Sequence, residues 1–274
     1  MLNVLADDGC SRQSIAAFRK AVENYYSTGF DFSFAKFPQS QNGFYTFSSV
    51  QQLAAALPQR LPDTQHDYYF NCFDTVIVLA SDRMKVGLKP DECFGPFMVT
   101  TVSSNIENIA FAATARDVFT AIYPLWYREE TESVFPESTR EKRVCLTPAI
   151  ASWHILPMTV REETLDSGVL NTLRASWQLH NLKYPQQFEV VLCHKVDLSS
   201  HTTCTPHAGL LFHRKTGFIY LEKAGGKGPF VRLDFDNMDD LDQWLSAVFE
   251  EQEHKSFHLF ATFNDTKIVN LNLQ

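Results

Sequence analysis

No apolar run in these 274 residues approaches the roughly 18 that a helical membrane span requires; the longest, such as residues 109–113, fall far short. No transmembrane helix is predicted. Clustered lysine and arginine are also missing: 24 basic residues against 32 acidic ones leave a net charge of −8. Phosphate backbones are held by basic patches, so nucleic-acid binding is excluded as an expectation. The short stretch at residues 140–143 is interrupted by Glu141 and reads as a solvated face. The six cysteines, at positions 10, 72, 93, 145, 193 and 204, have no tight framework spacing. Reduced thiols, rather than a disulfide scaffold, follow from that. Internal repeats, low-complexity tracts and a flexible linker are absent too. Residues 1–8 carry neither the basic nor the apolar segment of a secretory leader, which gives a cytoplasmic expectation as written. A leader missing from this chain would make the protein exported.

What is present suits a globular core, with 45% hydrophobic and 13% aromatic residues. Ile15, Phe18, Val22 and Tyr25 recur at helical spacing and predict an amphipathic helix over 11–26. Residues 30–47 are aromatic-rich with Pro38 and Gly43, and read as a loop or short strands beside a cleft. A short helix is expected over 48–57. A capping box at 104–107 opens another that runs to Pro124, and a third covers 165–180. The last third changes character. Residues 188–196, 207–213, 218–224, 230–235, 258–263 and 268–273 read as strands at hairpin spacing, with Asp236 capping a helix through Leu241, Trp244, Leu245 and Val248. Helices followed by a mostly antiparallel sheet make an α+β fold with its site at the helix–sheet seam. One domain over 1–274 is expected: an N-terminal extension (1–60), a helical part (61–185) and the sheet (186–274).

Cys72 opens the apolar run 73–80 after a polar-aromatic approach, Asp67-Tyr68-Tyr69-Phe70-Asn71. The Val76-Ile77-Val78 stretch is strand-prone, whereas Asn71 as a cap and Asp74 in the first turn favour a helix. Helix is the expectation. Cys72 then lies in the first turn, where backbone N–H groups and the helix dipole favour thiolate. Downstream, residues 205–224 read as a hairpin closed by Gly217. Pairing 214 with 217 puts His207 opposite Ala224, so Glu222 shares the face of His207 within side-chain reach. A carboxylate there fixes the imidazole tautomer and stabilises the imidazolium. Nucleophile, base and orienter are thus Cys72, His207 and Glu222.

That order resembles the papain-like cysteine hydrolases, and among them the bacterial NlpC-type peptidases. Asn71-Cys72, His207-Ala208-Gly209-Leu210-Leu211 and Tyr220-Leu221-Glu222 carry the likeness, which covers residues 60–80 and 204–250. A closer likeness is to an uncharacterised bacterial papain-like family with an Asn-Cys segment and a His-x-Gly…Glu-Lys hairpin. Asn71, Phe73 and Glu222 depart from the NlpC pattern of Asp, Ser and a third His or polar residue. The resemblance implies a papain-like fold, cysteine-dependent hydrolysis of an amide or peptide bond without a cofactor, and cell-wall stem peptides as the substrate class. Gln65, His66, Tyr68, Tyr69 and Asn71 are oxyanion or cleft candidates, among which the sequence does not choose. The alternative is a degenerate papain-like binding module. Zinc at Cys193, His194, Cys204 and His207 is disfavoured, since adjacent strand residues point to opposite faces. Residues 224–229 resemble a phosphate loop in composition only. His213, at the hairpin end, is expected at the surface.

Overall fold

The computed structural model describes residues 2–27, 44–47, 72–86, 153–155, 161–179, 181–199, 201–223, 230–250 and 258–271. Helix α1 (Leu2–Asp7), which sequence periodicity did not reveal, precedes α2 (Arg12–Ser27). The Ser11 hydroxyl accepts the Ser14 N–H at 3.0 Å and so caps α2. Ile15, Phe18 and Val22 then bury one stripe of that helix.

Helix α3 (Cys72–Ala80) is buried along its whole length and continues into a short 3-10 turn, Ser81–Arg83. This resolves the conflict over residues 76–78. β-branched side chains cost a helix only tenths of a kcal/mol each, about 0.5. Packing on every side of α3 outweighs that preference. Helix α4 (Leu165–Leu179) buries Leu165, Val169, Leu173 and Trp177, a stripe at four-residue spacing. The expected helices over 48–57 and 104–124 lie outside the described residues.

Among the described residues, the strands are β1 (Phe44–Phe47), β2 (Trp153–Ile155), β3 (Glu189–Asp197), β4 (Thr202–His213), β5 (Phe218–Lys223), β6 (Phe230–Phe235), β7 (His258–Phe263) and β8 (Lys267–Asn270). They form one sheet in the order β1-β6-β5-β4-β3-β7-β8, with β2 pairing the start of β4. All neighbours are antiparallel except β1, which adds to β6 in parallel, Phe44 opposite Phe230. The fold is α+β. Among the described residues, no helix is long and apolar enough to cross a membrane.

Both faces of the sheet are buried. Val190, Leu192, Ala208, Leu210, Phe212, Ile219 and Leu221 pack against α2, α3 and α4. The alternate residues Val191, Cys193, Leu211, Tyr220, Val231 and Leu233 pack against Leu241, Trp244 and Leu245 of α5 (Met238–Glu250). Period-two alternation thus feeds two cores rather than one core and one wet face. The cap of α5 is Asn237, not Asp236: its Oδ1 accepts the Asp240 N–H at 3.1 Å. The expectation missed by one residue because either side chain can cap.

Strand β4 begins five residues before His207, which therefore sits inside the strand rather than opening it. The β3 ladder continues past a bulge. Cys193 pairs with His207 and Lys195 with Cys204, so Thr205 and Pro206 stand against His194 alone. Proline has no N–H to donate, and a bulge tolerates that loss.

Candidate active site

Turn chemistry sets the hairpin that carries two of the three candidates. Gly217 adopts φ 76°, and the Arg214 N–H donates to its carbonyl at 3.1 Å. A Cβ at 217 would also collide with the Phe235 carbonyl oxygen. From this turn the β4–β5 ladder runs from His213–Phe218 to Leu210–Leu221 and stops. Extended by three more pairs, the same register sets His207 opposite Ala224, as the turn residues implied. Beyond Leu210 the strands are no longer a paired ladder, and the site lies at this open end.

There His207 Nε2 meets Glu222 Oε2 at 2.6 Å, with both residues buried. The Trp244 indole N–H donates to Glu222 Oε1 at 3.0 Å. Each carboxylate oxygen therefore has a partner, as a buried charge requires. Trp244 was read from the sequence only as a core position of a helix. An indole looks the same in an apolar stripe whether or not its N–H is used, so no local signal marked it.

Gly209, between His207 and Leu211, is required by its neighbour. A Cβ there would run into the hydroxyl of Tyr220, which is fully buried on the face of Glu222. Burial and the charge of Glu222 push the Tyr220 phenol well above its usual value, which keeps it neutral. Gly209→Ala is expected to lower stability by about 1–3 kcal/mol, the usual range for overpacking a core. Urea unfolding reads this, and an unchanged midpoint would show that the ring has room to move.

Cys72 is the first residue of α3 and is 6% exposed. Its thiol is hydrogen-bonded to His207, so the three candidates meet. Burial pushes the His207 imidazole down, but the charges of Glu222 and Cys72 and the hydrogen bonds to both outweigh it, raising the ring to about 10. Two other thiols are described. Burial, with Asp82 and Asp8 nearby, pushes Cys10 up to about 12, and burial with Glu222 and Cys72 pushes Cys193 well above the thiol range. Cys72 is therefore expected to be the fastest of the six cysteines to alkylate near neutral pH, because thiolate is the reactive form. Iodoacetamide kinetics followed by peptide mass spectrometry will show it; parity with Cys10 or Cys193 would discard the idea of an activated thiol.

Lys223 is the lysine of the Glu-Lys pair in the family likeness, to which the sequence assigns no role. It follows Glu222 directly, is fully buried, and holds Nζ 5.6 Å from the centre of the Phe230 ring. Burial lowers its ammonium to about 7, opposed by the charges of Cys72 and Asp74. Other histidines have separate roles. His194 has Nδ1 on the Thr205 hydroxyl at 3.0 Å and Nε2 on the Thr262 hydroxyl at 2.8 Å, so both nitrogens are engaged in the core. His213 lies exposed, 3.0 Å from Glu189. Gln65, His66, Tyr68, Tyr69 and Asn71 lie outside the described residues.

Residues 158–268 match the family model named Domain of unknown function (DUF4300). The match takes in α4 through β7 and so contains His207, Glu222, Lys223 and Trp244, while Cys72 lies outside it. No curated protein and no solved structure matches the chain.

Proposed function

We propose that this protein is a cysteine-dependent hydrolase of an amide or peptide bond, built on a papain-like scaffold of the NlpC type. The observation that carries the reading is the buried chain Cys72–His207–Glu222–Trp244, in which each group orients the next. With Nε2 engaged by Glu222, Nδ1 is the nitrogen left for the thiol. The proton that leaves Cys72 Sγ goes to His207, and the sulfur attacks the substrate carbonyl. Negative charge then develops on the carbonyl oxygen, beside the N-terminus of α3, where the Cys72 backbone N–H is an available donor. His207 returns the proton to the leaving amine, and a thioester remains on Cys72. Water, deprotonated by His207, attacks the thioester; the acid departs and the thiol is restored. No cofactor enters these steps.

Cell-wall stem peptides are the substrate class that the NlpC resemblance suggests. Incubation with a library of peptides and cell-wall fragments, quenched in acid, should show hydrolysis of at least one member and a thioester on the Cys72 peptide by mass spectrometry. No turnover of any member, together with a Cys72 that alkylates no faster than Cys10, would favour the degenerate binding module instead.

A further inference from the structure

Glu222 and Lys223 are consecutive on β5, so strand alternation sends them to opposite faces. Glu222 lies with Tyr220 towards Trp244 of α5, and Lys223 with Ile219 and Leu221 towards α3. Both are fully buried. The β4–β5 ladder ends at Leu221 while β5 stays paired with β6 through Lys223, so the two side chains lie where β4 and β5 part, and Cys72 acts on this region.

A buried lysine is costly unless something holds its charge. The hydrolytic steps above do not use this one. Its position makes the cost greater, because the N-terminus of a helix repels a cation. Negative charge must offset both terms. Among the described residues, the ionisable groups acting on Lys223 are Cys72 and Asp74, both in the first turn of α3. Its cross-strand partner on β6 is Phe230, a neutral ring that supplies a cation–π platform. That ring is fixed edge-on by Phe18 of α2, at 5.5 Å between centres and 89° between planes. On β4, the same register carried past the end of the ladder leads to Ala208, which has no charge. Among the described residues, the Lys223 ammonium thus lies beside one aromatic ring, with Cys72 and Asp74 as the ionisable groups that act on it.

We propose that Lys223 is a cationic positioning residue for the Cys72 thiolate, approaching the first turn of α3 from the face opposite Glu222. The inference rests on reading Cys72 as the nucleophile. Thiolate is the attacking group when the thioester forms and the leaving group when it is hydrolysed, so a cation facing Sγ assists both half-reactions. An ammonium that titrates near neutrality makes this assistance sensitive to pH, stronger on the acid side.

Coupling between two ionisable groups is reciprocal, and that gives two independent readouts. In the first, Cys72 alkylation by iodoacetamide is followed against pH. Lys223→Met should shift the profile to higher pH and slow the reaction at neutral pH by about tenfold, the equivalent of one pH unit. Lys223→Arg should recover part of the rate, and circular dichroism establishes that each variant is folded. In the second, the Lys223 side chain is titrated by NMR with carbon-labelled lysine in wild type and Cys72→Ala. Removing the thiol should lower the Lys223 midpoint. An unshifted alkylation profile in folded Lys223→Met, or an unchanged Lys223 midpoint in Cys72→Ala, would overturn the proposal. The second readout decides if Lys223→Met does not fold. Neither readout needs turnover. Hydrolysis with an unshifted profile would remove the role of Lys223 alone, and shifts in both readouts without hydrolysis would keep that role and remove the hydrolase reading.

Discussion

Cys72→Ala is expected to bring turnover of any substrate that the wild type hydrolyses down to background, a loss on the order of 10⁴-fold or more. In the proposed reaction Sγ is the atom that bonds to the substrate carbon, and an alanine methyl would supply neither that nucleophile nor the proton given to His207. The fold should survive. Alanine is the best helix former, and loss of one buried sulfur at the first residue of α3 leaves a void costing about 1 kcal/mol. Wild type and variant are to be assayed side by side, with thermal melts of both. Equal residual activity in the two would rule out thiol catalysis.

Glu222→Gln should have the next largest effect, a fall in turnover on the order of 10³-fold with a change in the pH dependence of stability. The carboxylate serves two groups, the His207 ring at 2.6 Å and the Trp244 indole N–H at 3.0 Å. A glutamine amide puts an NH2 group where one carboxylate oxygen stood, so the donor that faced that oxygen meets another donor, at a cost of about 1–3 kcal/mol. The amide also removes the charge that opposes burial at His207. In the wild type, the ring rises from its ordinary 6.5 to about 10 in the folded protein. A folded value above the unfolded one stabilises fully below pH 6.5 and loses that contribution as pH rises through about 10. Wild-type melting temperature should therefore fall across this alkaline window, and the fall should be much shallower in Glu222→Gln. Equal slopes in the two proteins would mean that Glu222 does not hold the His207 proton.

Much of this architecture was legible because it is written in short-range patterns. The bounds of β6 and β7 follow from alternation ending at turn residues, and α2 and α4 follow from apolar spacing. The hairpin register follows from one turn, since the positive φ of Gly217 leaves little choice of which residues pair. Once the register was set, His207 and Glu222 had to share a face, and the sequence alone implied their contact. Cys72 as first residue of a helix was also readable, though only by weighing capping residues against the strand preference of Val76, Ile77 and Val78.

Other features had no local trace. The parallel addition of β1 to β6 joins Phe44 to Phe230, and nothing in either segment names the other. The early start of β4 depends on pairing with β2 and on a bulge against His194. Trp244 reaches Glu222 from a helix that packs on the far face, and the burial of Lys223 is set by where α3 docks. The sequence by itself determined the elements, the hairpin register and the shared face of His207 and Glu222, because turn geometry and side-chain period act over a few neighbouring residues. Only the tertiary structure decided that Cys72 meets His207 and that Lys223 faces Cys72, because those contacts depend on how α3 packs across the open end of β4 and β5, more than a hundred residues away along the chain.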